Sequence, residues 1–104
     1  MEELKENKIY KLNNLDCIYL GKDYSDKHKK NLEHFAIFNF KDNENPFIEI
    51  KGIQQTEFEI KENQIKYSFI YEIRKIPLQI CGGKHYLFKE LKKRYQKIKN
   101  AQIN

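Results

Sequence analysis

Residues 84 to 99 hold seven Lys/Arg against one acid, Glu90. The rest of the chain carries thirteen bases and fourteen acids, so this segment accounts for the whole net charge of +5. Lys89, Lys93 and Lys97 recur at i, i+4 and i+8, with Lys92, Arg94 and Lys99 beside them. On a helix that spacing makes one row of ammonium groups, which bind phosphates or carboxylates as point charges. Like charges four residues apart cost a few tenths of a kcal/mol per pair, and a solvated helix face with no other task is expected to mix in acids. The array therefore points to an anionic partner: nucleic acid, an acidic protein surface, or a groove on a nucleoprotein complex. Lysine reads little base information, and only Arg74 and Arg94 are present for bidentate readout. Nucleic-acid binding by this face is expected to be weakly sequence-specific and steeply salt-dependent.

Gly82-Gly83-Lys84-His85 precedes the basic segment and forms a second candidate anion site, because glycines let backbone N–H groups approach a ligand at a helix start. It lacks the remainder of a nucleotide-binding Gly-x-x-x-x-Gly-Lys-Ser/Thr loop. The histidines His28, His34 and His85 and the cysteines Cys17 and Cys81 show no zinc-ligand spacing, and Ser25 and Ser68 lie in no nucleophile-elbow context. No cofactor, metal or catalytic set is expected, and Cys17 and Cys81 are read as reduced, buried thiols. Tyr24 and Tyr86 are candidates for stacking on bases.

Two further patterns carry resemblances. Ile9-Tyr10 and Tyr19-Leu20-Gly21, followed by a basic stretch, resemble the opening of the GIY-YIG nucleases over about 25 residues. Lys8 stands where that family has its leading Gly, and only Lys27, Lys29 or Lys30 lies near the place of its helix arginine. The resemblance implies a small metal-dependent nuclease built on Tyr10 and Tyr19. Glu49-Ile-Lys51 and Glu59-Ile-Lys61 are similar to the Glu-x-Lys half of the PD-(D/E)xK nucleases, and with Glu57 they would supply metal ligands in such an enzyme. In general character the chain also looks like the accessory proteins of phages and plasmids, including anti-CRISPR and other anti-defence inhibitors. That resemblance implies a non-enzymatic protein that occupies a channel or docking surface of a larger complex. A third alternative is a homodimeric interaction module that pairs sheet edges or aromatic faces.

The chain has 104 residues, 39% apolar and 34% charged, which suits one small globular domain over residues 1–104. Lys, Ile, Asn, Tyr and Phe, all with AT-rich codons, supply 56 residues, as expected for a low-GC bacterium or a mobile element living in one. With no apolar run of membrane-spanning length and no signal-peptide core after Met-Glu-Glu-Leu-Lys-Glu, a cytoplasmic protein is expected.

The elements that would position these residues are mostly strands. Residues 8–20 read as a hairpin turning at Asn13-Asn14, which sets Leu12 opposite Leu15, Lys11 opposite Asp16, Tyr10 opposite Cys17 and Ile9 opposite Ile18. Residues 21–31 read as a polar loop or a short turn of helix, and 33–40 as a central strand covered on both faces. Residues 41–46 break the pattern, and Phe47 to Lys51 makes a short strand ended by Gly52. A second hairpin turns at Glu62-Asn63 and pairs Phe58 with Tyr67, Glu59 with Lys66 and Ile60 with Ile65. Beyond it, Ile65, Tyr67, Phe69, Tyr71 and Ile73 alternate with mostly polar residues as one long strand with a buried face. Pro77 and Gly82-Gly83 end the sheet region. A helix follows over about residues 84–100, with Leu87, Phe88, Leu91, Tyr95 and Ile98 as its apolar stripe. The expected fold is α+β: five to six strands in a strongly bent antiparallel sheet or SH3-like barrel, with one C-terminal amphipathic helix.

Overall fold

A computed structural model of the chain describes residues 3–41 and 45–103. Among these residues nine strands, one turn of 3-10 helix (Gln55–Glu57, between β4 and β5) and one α-helix follow one another: β1 (Ile9–Leu12), β2 (Leu15–Ser25), β3 (Lys30–Asn39), β4 (Phe47–Ile53), β5 (Phe58–Lys61), β6 (Gln64–Tyr67), β7 (Glu72–Pro77), β8 (Gln79–Ile80), β9 (Gly83–Lys84) and α1 (Tyr86–Ile103). The first seven strands form one open mixed sheet in the order β5-β6-β1-β2-β3-β4-β7. All neighbours are antiparallel except β1 and β6. The fold is thus α+β, with a bent sheet and a C-terminal helix.

Both expected hairpin registers are present, residue for residue. Their two-residue turns hold both central residues in the left-handed region, Asn13 and Asn14 at φ 53° and 66°, Glu62 and Asn63 at 54° and 65°. This is the turn geometry that matches strand twist.

The bend is visible in what meets across it. Phe58 of β5 packs edge-on against Phe35 of β3, ring centres 5.6 Å apart, although three strands separate β5 from β3 in the sheet. Phe58, Ile60 and Ile65 fold over Tyr10, Cys17, Phe35, Ile37 and Ile53 as one core. On the opposite face Phe88, Leu91, Tyr95 and Ile98 of α1 cover Ile18, Ala36, Phe38, Ile48 and Ile76. β3 is therefore buried on both sides, as its near-continuous apolar sequence requires. Each large side chain in these cores contributes about 1.5–3 kcal/mol by leaving water.

Several expectations are corrected. The sheet does not close into a barrel, because β5 and β7 remain at its two edges. Residues 21–31 are neither a loop nor a turn of helix: β2 and β3 continue as a hairpin with its tight turn after Ser25, where the Lys29 N–H donates to the Ser25 carbonyl at 2.8 Å. Leu20 is the extra residue of a bulge beside Gly21, whose φ of 115° suits glycine alone. Gly52 does not end β4, which runs on to Ile53. The long strand expected from Ile65 to Ile73 is two strands at opposite ends of the sheet. Between them the Ser68 N–H donates to the Glu57 carbonyl and the Tyr71 N–H to the Gly52 carbonyl, carrying the chain across. Phe69 and Ile73 are consequently exposed. The sheet region extends past Pro77 into the small β8–β9 hairpin, and α1 starts at Tyr86. Cys81 lies at the tip of that hairpin and is exposed, while Cys17 is buried; both thiols are free. The break expected over residues 41–46 includes 42–44, which lie outside the described residues.

Candidate anion-binding surface

The helix stands where it does because its apolar stripe is consumed by the sheet. Phe88, Leu91, Tyr95 and Ile98 are buried and Leu87 is half-buried, so the remaining positions face outward. The Phe38 and Tyr95 rings stack with centres 4.3 Å apart. The Tyr95 hydroxyl also donates to Asp16 of β2. Burial raises the Tyr95 hydroxyl's pKa, and the neighbouring Asp16 carboxylate raises it further. Burial opposes ionisation of Asp16 as well, but the bonds from Lys11 and Tyr95 outweigh it and hold that carboxyl below its usual value.

The outward face divides the basic residues into two sets. Lys89, Lys92, Lys93, Lys97 and Lys99 are exposed and Arg94 is half-buried. Arg94 reaches Glu6 at 3.7 Å, and the Lys99 ammonium turns back to the Tyr95 hydroxyl at 3.4 Å. Those two are spent partly on the fold. Lys84, Lys89, Lys92 and Lys93 border a shallow groove of about 510 Å³, with Leu78 and Phe88 also lining it and Glu90 as its one acid. Among the described residues none of these four, nor Lys97, forms an ion pair. The Lys92 ammonium lies 5.7 Å from the centre of the Phe40 ring. Tyr86, three-quarters exposed, heads the lysine row one turn before Lys89 and Glu90.

Gly82, Gly83, Lys84 and His85 are placed differently from one another. Cys81 and Gly82, at φ 46° and 81°, form the tip of the β8–β9 hairpin, and Gly83 and Lys84 pair with Ile80 and Gln79. His85 caps α1: its Nδ1 accepts the Leu87 N–H at 3.1 Å, which satisfies one of the donors an anion would have used. Lys84 is the residue of the four that borders the groove.

A second polar cluster had no signal in the sequence. Register brings His34 of β3, Gly52 of β4 and Glu72 of β7 into one row across the sheet. Glu72 accepts a hydrogen bond from the Ser25 hydroxyl at 2.6 Å on one oxygen and lies 3.5 Å from His34 Nε2 on the other. The Ser25 bond holds the Glu72 carboxyl below its usual value, against burial and with help from His34. Glu72 thus bridges the Ser25 hydroxyl and the His34 imidazole, and the cluster anchors the β2–β3 turn to β7. Gly52 makes it possible, since a Cβ there would meet His34 Nε2 and Leu32 Cδ1 at 3.2 Å and Glu72 Cβ at 3.3 Å.

Of the residues of the nuclease resemblances, Tyr10 and Tyr19 pack in one core cluster, while Glu49 lies on β4 and Glu59 on β5. Tyr10 is fully buried and its hydroxyl accepts the Lys5 N–H at 2.9 Å. Tyr19 donates to the buried Glu33, which also lies 3.5 Å from the Lys22 ammonium. Lys27, Lys29 and Lys30 lie in or beside the β2–β3 turn, not on a helix. Glu49 pairs with Lys51 at 3.2 Å, Glu57 accepts from Ser68, and Glu59 sits opposite Lys66. Among the described residues no three of His, Cys, Asp or Glu gather as a metal site. Nor is any helix of the described residues long and apolar enough to cross a membrane. The chain matches no known protein family, no curated protein and no solved structure.

Proposed function

We propose that this chain is a non-enzymatic binding protein of a phage or mobile element of a low-GC bacterium. Its lysine face on α1 engages a polyanion, either free nucleic acid or nucleic acid and acidic surface held in a larger host complex such as a defence effector, which it would inhibit by occupancy. The observation that carries this reading is the groove beside α1, where Lys84, Lys89, Lys92 and Lys93 converge with a single acid and, among the described residues, no ion pair. Ammonium groups left without carboxylates at this density repel one another, and an anionic ligand relieves that repulsion. The exposed Tyr86 ring adjoining the row favours nucleic acid, since a base can stack there while phosphates follow the lysines.

The test is fluorescence anisotropy with labelled single- and double-stranded DNA and RNA across a salt series. Neutralising about four phosphates gives a log–log slope of about −3.6 on duplex DNA. Binding that ignores salt, or no binding at low salt, counts against the nucleic-acid reading and directs the search to pull-down of protein partners.

A further inference from the structure

We propose that β7 pairs with the β7 strand of a second copy of this chain, antiparallel, with Ile73 on the two-fold axis. β7 bonds to β4 on one side, and among the described residues no strand pairs with its other side. An open edge of this kind is a template for another strand. Ile73, at the edge, is 62% exposed, which places a large aliphatic side chain in water where a partner strand would cover it. β5, the opposite edge, offers nothing comparable, because its Phe58 and Ile60 are already buried.

Symmetry and charge fix the register. A two-fold axis perpendicular to the sheet keeps every residue on its own face, so the axis must pass through a residue and not between two. Centred on Glu72, Arg74 or Lys75, the pairing sets that charged side chain against its own copy, and centred on Ile76 it places Pro77, which has no N–H, inside the ladder opposite Lys75. Centred on Ile73, it sets Ile73 against Ile73 and Glu72 against Arg74 twice, with opposite charges on one face. Arg74 is exposed and the Glu72 side chain is 39% exposed despite its bonds to Ser25 and His34, so both are accessible to a partner. In this register Glu72 to Arg74 pair with their symmetry mates, and the ladder ends where Lys75 faces Tyr71, which precedes β7. The same axis keeps both copies of α1 on one side of the joined sheet, so the pair presents two lysine faces in one direction. The pairing stands independently of what those faces bind.

Sedimentation velocity over a protein concentration series tests it, on the wild type, I73K and R74E, all changed only at exposed side chains. The wild type is expected to shift from monomer to dimer, and each substitution to weaken self-association about tenfold or more. In a Cys81→Ser background, mild oxidation is expected to link I73C chains through position 73, because directly opposed Cα atoms about 4.5–5.5 Å apart suit a disulfide, and to leave K75C chains unlinked. A wild type that stays monomeric throughout, a dimer unaffected by I73K and R74E, or linkage through position 75 in place of 73 would overturn the proposal.

Discussion

The hydroxyl of Tyr95 donates to the carboxylate of Asp16, 79 residues earlier in the chain. This bond ties the helix that bears the lysine face to the first hairpin, and it is reinforced by Lys11, which pairs with the same carboxylate. Tyr95→Phe keeps the ring stacked on Phe38 and removes the bond. A hydrogen bond to a charged group contributes about 1.5–3 kcal/mol, so the urea midpoint is expected to fall by the equivalent of about that amount. An unchanged midpoint would show that Lys11 alone satisfies Asp16.

The helix is expected to depend on its apolar stripe far more than on any polar contact. Phe88 is almost fully buried among Ile18, Ile48 and Ile76. Phe88→Ala should cost about 3–5 kcal/mol, whereas charge reversal at Lys93 should leave stability within about 0.5 kcal/mol. Thermal unfolding followed by circular dichroism separates the two.

Acid should destabilise the fold through Asp16 and Glu72. Both carboxyls sit below their ordinary values of 3.8 and 4.5 in the folded state, so the unfolded chain binds protons more readily. Their contribution is complete above those values and is lost as pH falls through the lower folded-state ones. Ser25→Ala removes the leading cause of the Glu72 shift, and the loss of stability between neutral pH and about pH 3.5 should become smaller. An acid response identical to that of the wild type would separate Ser25 from Glu72.

The two cysteines should differ sharply toward a thiol reagent. Burial pushes the Cys17 thiol up to about 12, while Cys81 is exposed at a hairpin tip. One thiol per chain is expected to react in the native protein and two in denaturant, and Cys81→Ser should abolish the native reaction.

What the sequence displayed follows from which interactions are local. The β1–β2 and β5–β6 registers were legible because a two-residue turn fixes pairing on either side of it, and Glu59 opposite Lys66 has only that one solution. The division of Ile65–Ile73 into two strands was not, since the alternation runs on unbroken and the hydrogen bonds that redirect the chain come from Glu57 and Gly52. The β2–β3 extension was concealed by its polar residues, which belong to a hairpin end standing in water. Of the candidate site, the lysine row was readable from helical spacing. That Lys84 joins it, and that Arg94 and Lys99 turn back toward Glu6 and Tyr95, depends on where the sheet holds α1.

The central claim, that the lysine face binds a polyanion, is tested most directly by comparing the wild type with the K89E/K93E/K97E triple variant in a salt-series anisotropy titration. The variant changes only exposed positions and should fold like the wild type by circular dichroism. Loss of binding together with collapse of the steep salt slope is the expected result. Equal affinity and equal slope in the two proteins would contradict it and place any nucleic-acid contact elsewhere on the molecule.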